Sequence, residues 1–123
     1  MMNQNVDTLR RLYERFNAKD IPGVLAMLTD DVAWANGMDG GHVHGHDGIR
    51  DYWTRQWSLV DPHVEPVGFS EADDGAVLVE VRQTIRDGDG NRVQVDGLKD
   101  KMVGHLFHFT DGKVARFDIV ESD

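Results

Sequence analysis

The sequence predicts an α+β domain, on two observations. Apolar residues recur at three- and four-residue steps through the N-terminal half, and after Pro62 they alternate singly between turn signals. Helices followed by antiparallel strands give an α+β arrangement, with helices packed on one face of a curved sheet and room between them for a pocket. A chain of 123 residues fits one domain, 1–123, and is long enough to bury a single core.

Each element has its own signal. Val6, Leu9, Leu12/Tyr13 and Phe16 form one stripe of a first amphipathic helix, which "NAKDIPG" interrupts. Asp20 caps a second helix with Pro22 in its first turn and Val24, Leu25 and Leu28 on its apolar face; "TDD" is expected to end it. "VAWANG" reads as a short strand, with Trp34 and Asn36 on one face and Ala33 and Ala35 on the other. "MDGGHVHGHDGIRDYW" then leads into a third helix, with Asp47 as its expected N-cap and Ile49, Tyr52, Trp53, Gln56, Trp57 and Val60 in its period. The strands are "HVEPVGFSEA", "AVLVEVRQTIR", "RVQV", "KMVGHLFHF" and "KVARFDIVES", bounded by "DDG", "DGDGN" and "TDG". "VDGLKDK" breaks the alternation and reads as a bulge or loop.

Composition removes several function classes. A formal net charge of −9 disfavours binding to nucleic-acid phosphate or an anionic membrane surface. The chain has no cysteine, which excludes disulfides, a thiol nucleophile and Cys-based metal sites. The N-terminus lacks a hydrophobic signal segment and no apolar run approaches membrane-spanning length, so a soluble cytoplasmic protein is expected. "DGDGNRVQVDGL" fails as a calcium loop: counted from Asp87, Arg92 stands where a glycine is required and Leu98 where a glutamate is.

Three stretches, "LYERFNAKDIPGVLAMLTDDVAW" (12–34), "HGHDGIRDYW" (44–53) and "GHLFHFTDGKVARFDIV" (104–120), occur in an order and spacing that resemble the nuclear transport factor 2-like superfamily, in particular its SnoaL-like and ketosteroid isomerase-like branch. The resemblance covers nearly the whole chain. It implies a cone: three N-terminal helices packed on a strongly curved, mixed, mainly antiparallel sheet enclosing a deep apolar pocket. It also implies a homodimer. The superfamily holds isomerases, polyketide cyclases, dehydratases, epoxide hydrolases and binding domains without catalysis, so fold alone leaves function open.

Carried over residue by residue, the isomerase chemistry does not survive. The resemblance places the general-base aspartate at Asn36, whose amide cannot hold a proton near neutral pH. The oxyanion-donating tyrosine of the first helix falls on Leu12, with Tyr13 one helical step of about 100° away. The protonated aspartic acid of a late strand falls on His105, while Trp53 and Phe117 match apolar wall positions. A true ketosteroid isomerase is therefore not expected.

His105 is the leading candidate. It shares a strand face with Val103, Phe107 and Phe109, and burial there favours a neutral imidazole able to act as base or hydrogen-bond donor. Its plain alternative is a packing histidine satisfied by a neighbour. His108, Met102 and Leu106 lie on the opposite face, where the resemblance puts the dimer contact. Asn36 and Tyr13 are candidates to polarise a ligand oxygen, and Trp34, Trp53, Trp57, Phe107 and Phe117 to wall the pocket. His42, His44 and His46, with Asp39, form a weak metal motif among glycines and read better as a pocket rim; neither metal nor cofactor is expected. The function expected is binding of a small, mostly apolar molecule with cofactor-independent acid–base catalysis of isomerase, cyclase, dehydratase or hydrolase type. The alternative is a non-catalytic ligand-binding or dimerisation module.

Overall fold

Leu9, Leu12 and Tyr13 bury one stripe of α1 (Met2–Asn17), the helix that the first apolar period predicts. The computed structural model describes residues 2–36, 41–72, 75–87, 89, 94–95, 98–99 and 101–121. Asp20 caps α2 (Ile21–Leu25): its carboxylate accepts from the Gly23 N–H at 3.0 Å, and Pro22 sits in the first turn. This helix ends at Leu25 and not at "TDD". The Ala26 N–H closes on the Pro22 carbonyl, the Met27 carbonyl accepts from Val114, and Leu28 pairs with Val114. Sheet pairing thus claims residues 28–31 for β1 (Leu28–Ala35).

β2 (His42–His44) runs into α3 (Gly45–Leu59) through Gly45, whose φ of +75° suits a residue without Cβ. Asp47 is not the N-cap: His44 occupies that position without a side-chain bond, and Asp47 pairs within the first turn with Arg50 at 3.1 Å. β3 (Val60–Glu71) continues directly from the helix and takes in Pro62. β4 (Val77–Asp87), β7 (Lys101–Thr110) and β8 (Lys113–Glu121) follow the predicted alternation. Within "RVQV" and "VDGLKDK", β5 (Gln94–Val95) pairs antiparallel with β6 (Leu98–Lys99); Arg92 lies outside the described residues.

The main sheet has the order β2-β1-β8-β7-β4-β3, with β1 and β8 parallel and the other neighbours antiparallel. Three helices and a mixed, mainly antiparallel sheet are therefore present. The expected cone is not. The sheet is neither closed nor strongly curled, and its outermost strands β2 and β3 do not pair with each other. Two local reasons fit. β2 is three residues long, and the outer margin of β3 is already engaged. Asn17 from α1 donates to the Val64 carbonyl at 2.8 Å and accepts from the Val64 N–H at 3.0 Å. Lys19 reaches the Pro62 carbonyl at 3.3 Å, and Pro66 carries no N–H at all.

The core lies between the helices and one sheet face: Leu9, Val24, Leu28, Ile49, Trp53, Val79, Val81, Phe107 and Val114 are all fully buried or nearly so. On the other face Met102 and Val120 are exposed, with Leu106 and His108 half-buried. Among the described residues, no helix is long and apolar enough to cross a membrane.

Candidate functional site

α1 and α3 stand over β1, β3, β4, β7 and β8 and leave a cleft of about 80 Å³. Its walls are aromatic. Trp34 lies 4.2 Å from Phe117 and meets Trp53 edge-on at 5.3 Å; Phe107 packs on Phe117 at 5.1 Å between centroids. All four are among the residues that line the cleft.

The polar end is built from residues 92 positions apart: Tyr13 Oη and His105 Nδ1 lie 2.8 Å from each other. The two rings are within 9° of parallel, and Phe117 stands edge-on to the imidazole at 4.8 Å. Burial pushes His105 down to about 3 and Tyr13 well above the usual phenol range. Both groups are therefore neutral around pH 7. Tyr13 O–H donates to Nδ1 in one imidazole tautomer, and Nδ1–H donates to Oη in the other. Either way the pair keeps one donor and one acceptor for a ligand. The helix turns Tyr13 to this position; its neighbour Leu12 lines the apolar wall.

The lining also contains Tyr52 and Gln56 on α3, whose side chains bond to each other at 3.2 Å, and Gln83 on β4. Their spacing marks Tyr52 and Gln56 only as members of a helical stripe and Gln83 only as a strand residue. One signal was present: a glutamine at an apolar position of the α3 period. No Asp, Glu, Lys or Arg is among the described lining residues.

Other candidates stand apart from this group. Asn36 follows the end of β1, half-buried, with its backbone N–H on the Gly41 carbonyl at 2.9 Å; it is not among the lining residues. Trp57 is also outside the lining. It stacks on Trp53 at 5.5 Å, meets Phe16 at 5.4 Å, and lies under the Lys19 ammonium. The three histidines expected at a rim are not among the lining residues, and they diverge. His42 Nε2 meets Asp118 at 2.8 Å, His46 Nε2 donates to the Leu28 carbonyl at 3.2 Å, and His44 is exposed. Asp118 is gripped as well by Arg116. Partial burial raises that carboxyl, but hydrogen bonds from Arg116 and His42 outweigh this and hold it below the usual range. Asp39 lies outside the described residues, and among those described no three His, Asp or Glu side chains are placed to hold a metal ion.

Comparison with known proteins fits this arrangement. The SnoaL-like domain pattern matches residues 9–117. An NTF2-like protein of unknown function from Burkholderia pseudomallei is 26% identical over 97% of this chain and 91% of its own, with a TM-score of 0.80. TerC, crystallised with polyporic acid, is 24% identical over 97% and 92%, with a TM-score of 0.79. SalBIII, an epoxide hydrolase/cyclase-like enzyme with a role in pyran ring formation in the polyether salinomycin, is 17% identical over 99% and 95%, with a TM-score of 0.80. No match is found among curated proteins. The last two likenesses concern fold alone, whereas the domain pattern takes in most of the chain: this protein belongs to the SnoaL-like domain family of the NTF2-like superfamily.

Proposed function

We propose that the cleft binds a small, mostly apolar, uncharged molecule and polarises one of its oxygens through the Tyr13–His105 pair. The observation that carries this is the 2.8 Å hydrogen bond between two buried, neutral groups at the end of an aromatic cleft. A donor fixed in a low-dielectric site stabilises charge developing on an oxygen more than the same donor does in water. With a pKa of about 3, His105 is a weak base before a ligand arrives. The chemistry that suits the pair is therefore polarisation with proton transfer late in the step. Ring closure or opening, isomerisation and dehydration all fit, without a cofactor. The likeness to SalBIII, an epoxide hydrolase/cyclase-like enzyme, supports the catalytic form.

A second reading, a binding module without turnover, is favoured by one observation: the described lining offers no carboxylate, and Asn36 is not part of it. Titrating tryptophan fluorescence with a panel of enones, epoxides and hydroxy-ketones, with products followed by mass spectrometry, separates the two. In the catalytic form, Tyr13→Phe and His105→Ala each lose about a hundredfold or more in turnover, with helical circular dichroism retained. Saturable quenching with no product supports the binding module, and undiminished turnover in both variants rules out the pair as the polarising group. Met102 and Val120, exposed on the outer sheet face, support a homodimer through that face, checkable by light scattering.

A further inference from the structure

We propose that Tyr52 and Gln56 form a second polar station in the cleft, and that the ligand is an uncharged ring compound with two separated oxygen functions, one for each tyrosine pair. The inference rests on the reading that the cleft binds a small molecule.

The chain has two tyrosines. Both are buried, and both line this cleft. Among the described residues, two buried polar side chains accompany them, Gln56 and His105. Each is hydrogen-bonded to a different tyrosine: His105 to Tyr13 and Gln56 to Tyr52. The two buried Gln and His side chains of the described interior thus meet the same cleft, in two like units. One comes from α1 and β7, the other from a single turn of α3 beside Trp53. Packing does not call for the second unit, since a leucine at 56 would fill the apolar stripe without desolvating an amide.

The two stations differ in what they offer. Gln56 Nε2 donates to Tyr52 Oη, and no described side chain donates to the Gln56 carbonyl oxygen. That oxygen is an acceptor, suited to a ligand hydroxyl. The Tyr13–His105 pair always has a donor to give, suited to a ligand carbonyl. Aromatic walls favour a flat ring between the two. The absence of charged side chains from the described lining disfavours an ionised ligand. The chemical class that answers to this is a hydroxylated aryl ketone, or a comparable ring with a hydroxyl at one end and a carbonyl at the other.

Three probes of nearly equal size test it by calorimetry at about pH 6, where phenols are un-ionised: 4-hydroxyacetophenone, acetophenone and 4-ethylphenol. The full-length protein is expected to bind the first about tenfold more tightly than either of the others, one added hydrogen bond in each comparison. In Gln56→Leu the preference over acetophenone falls to about one. In Tyr13→Phe, where the His105 N–H remains, the preference over 4-ethylphenol falls without vanishing. Tyr52→Phe, which keeps the ring, reports on the same station should Gln56→Leu fail to fold. Equal affinity of the wild type for all three probes overturns the second station and leaves the binding cleft intact. A Gln56→Leu variant that still prefers 4-hydroxyacetophenone over acetophenone tenfold also overturns it. No binding of any probe overturns the underlying reading as well.

Discussion

The segment around His42–His46, expected as a pocket rim, and the strand around His105 hold the same side chain in opposite circumstances. At the rim, three imidazoles lie within five positions of sequence and each goes its own way, to Asp118, to solvent and to the Leu28 carbonyl. On β7, one imidazole meets a tyrosine 92 positions away, inside an aromatic cleft. Density of reactive residue types along the chain therefore says little about convergence. Full burial beside a neutral partner turns an ordinary histidine into a neutral, directional hydrogen-bonding group; His42 is only partly buried and its distant partner, Asp118, is a carboxylate.

Three comparisons test this contrast. The largest effect is expected at Phe107, whose ring touches those of Tyr13, Trp34, His105 and Phe117. Phe107→Ala should cost about 3–5 kcal/mol in urea unfolding, while His44→Ala at the exposed rim should stay within about 0.5 kcal/mol. Equal losses at the two would erase the distinction between the regions.

The next effect is one of pH. His105 titrates at about 3 when folded against 6.5 ordinarily, so between these values the unfolded chain binds a proton that the folded chain refuses. Stability therefore falls as pH drops through this window, by roughly 1.4 kcal/mol per unit at most. His105→Gln, which cannot titrate, should flatten the slope between about pH 4 and 6. Asp118 acts lower: its depressed carboxyl stabilises the fold above the ordinary carboxylate range, and that contribution disappears as pH falls through its folded value. A wild-type slope unchanged by His105→Gln would place the acid sensitivity elsewhere.

The smallest effect belongs to the rim pair. His42 and Asp118 are 25% and 26% exposed in their side chains, and His42→Ala should cost no more than about 1 kcal/mol. A loss as large as that of Phe107→Ala would mean that the rim is structurally as important as the cleft.

Much of the fold was legible because it is written in local periods. α1, α3, β4, β7 and β8 follow their apolar spacing to within a few residues. The α2–β1 boundary was not, since pairing with Val114 decides it and no local pattern records that partner. The same is true of the open sheet: whether outer strands meet depends on what already occupies their margins. In the cleft, alternation put His105 and Phe107 on one face, while Phe117 came from the resemblance. Alternation also put Asn36 beside Trp34, but β1 stops at Ala35 and Asn36 is not among the lining residues. Spacing pointed to Leu12 as the tyrosine position of the resemblance, and one helical step brings Tyr13 to His105 instead. Tyr52 and Gln56 were hidden in plain view, because a helix period reports which side a residue faces and not what it meets there.

The margin of β3 has a further consequence. Val64 turns its N–H and carbonyl away from β4 to Asn17, so the period of two turns the backbone of Pro62 and Pro66 the same way. Along this stretch the outward row has two prolines without N–H, one carbonyl held by Lys19, and one peptide fully occupied by a side chain. A twelve-residue edge strand is ordinarily a template on which other chains can add strands and aggregate. Here the template is blank where it would be read. An open sheet is thus compatible with resistance to edge-to-edge association, because two prolines, Asn17 and Lys19 guard this margin.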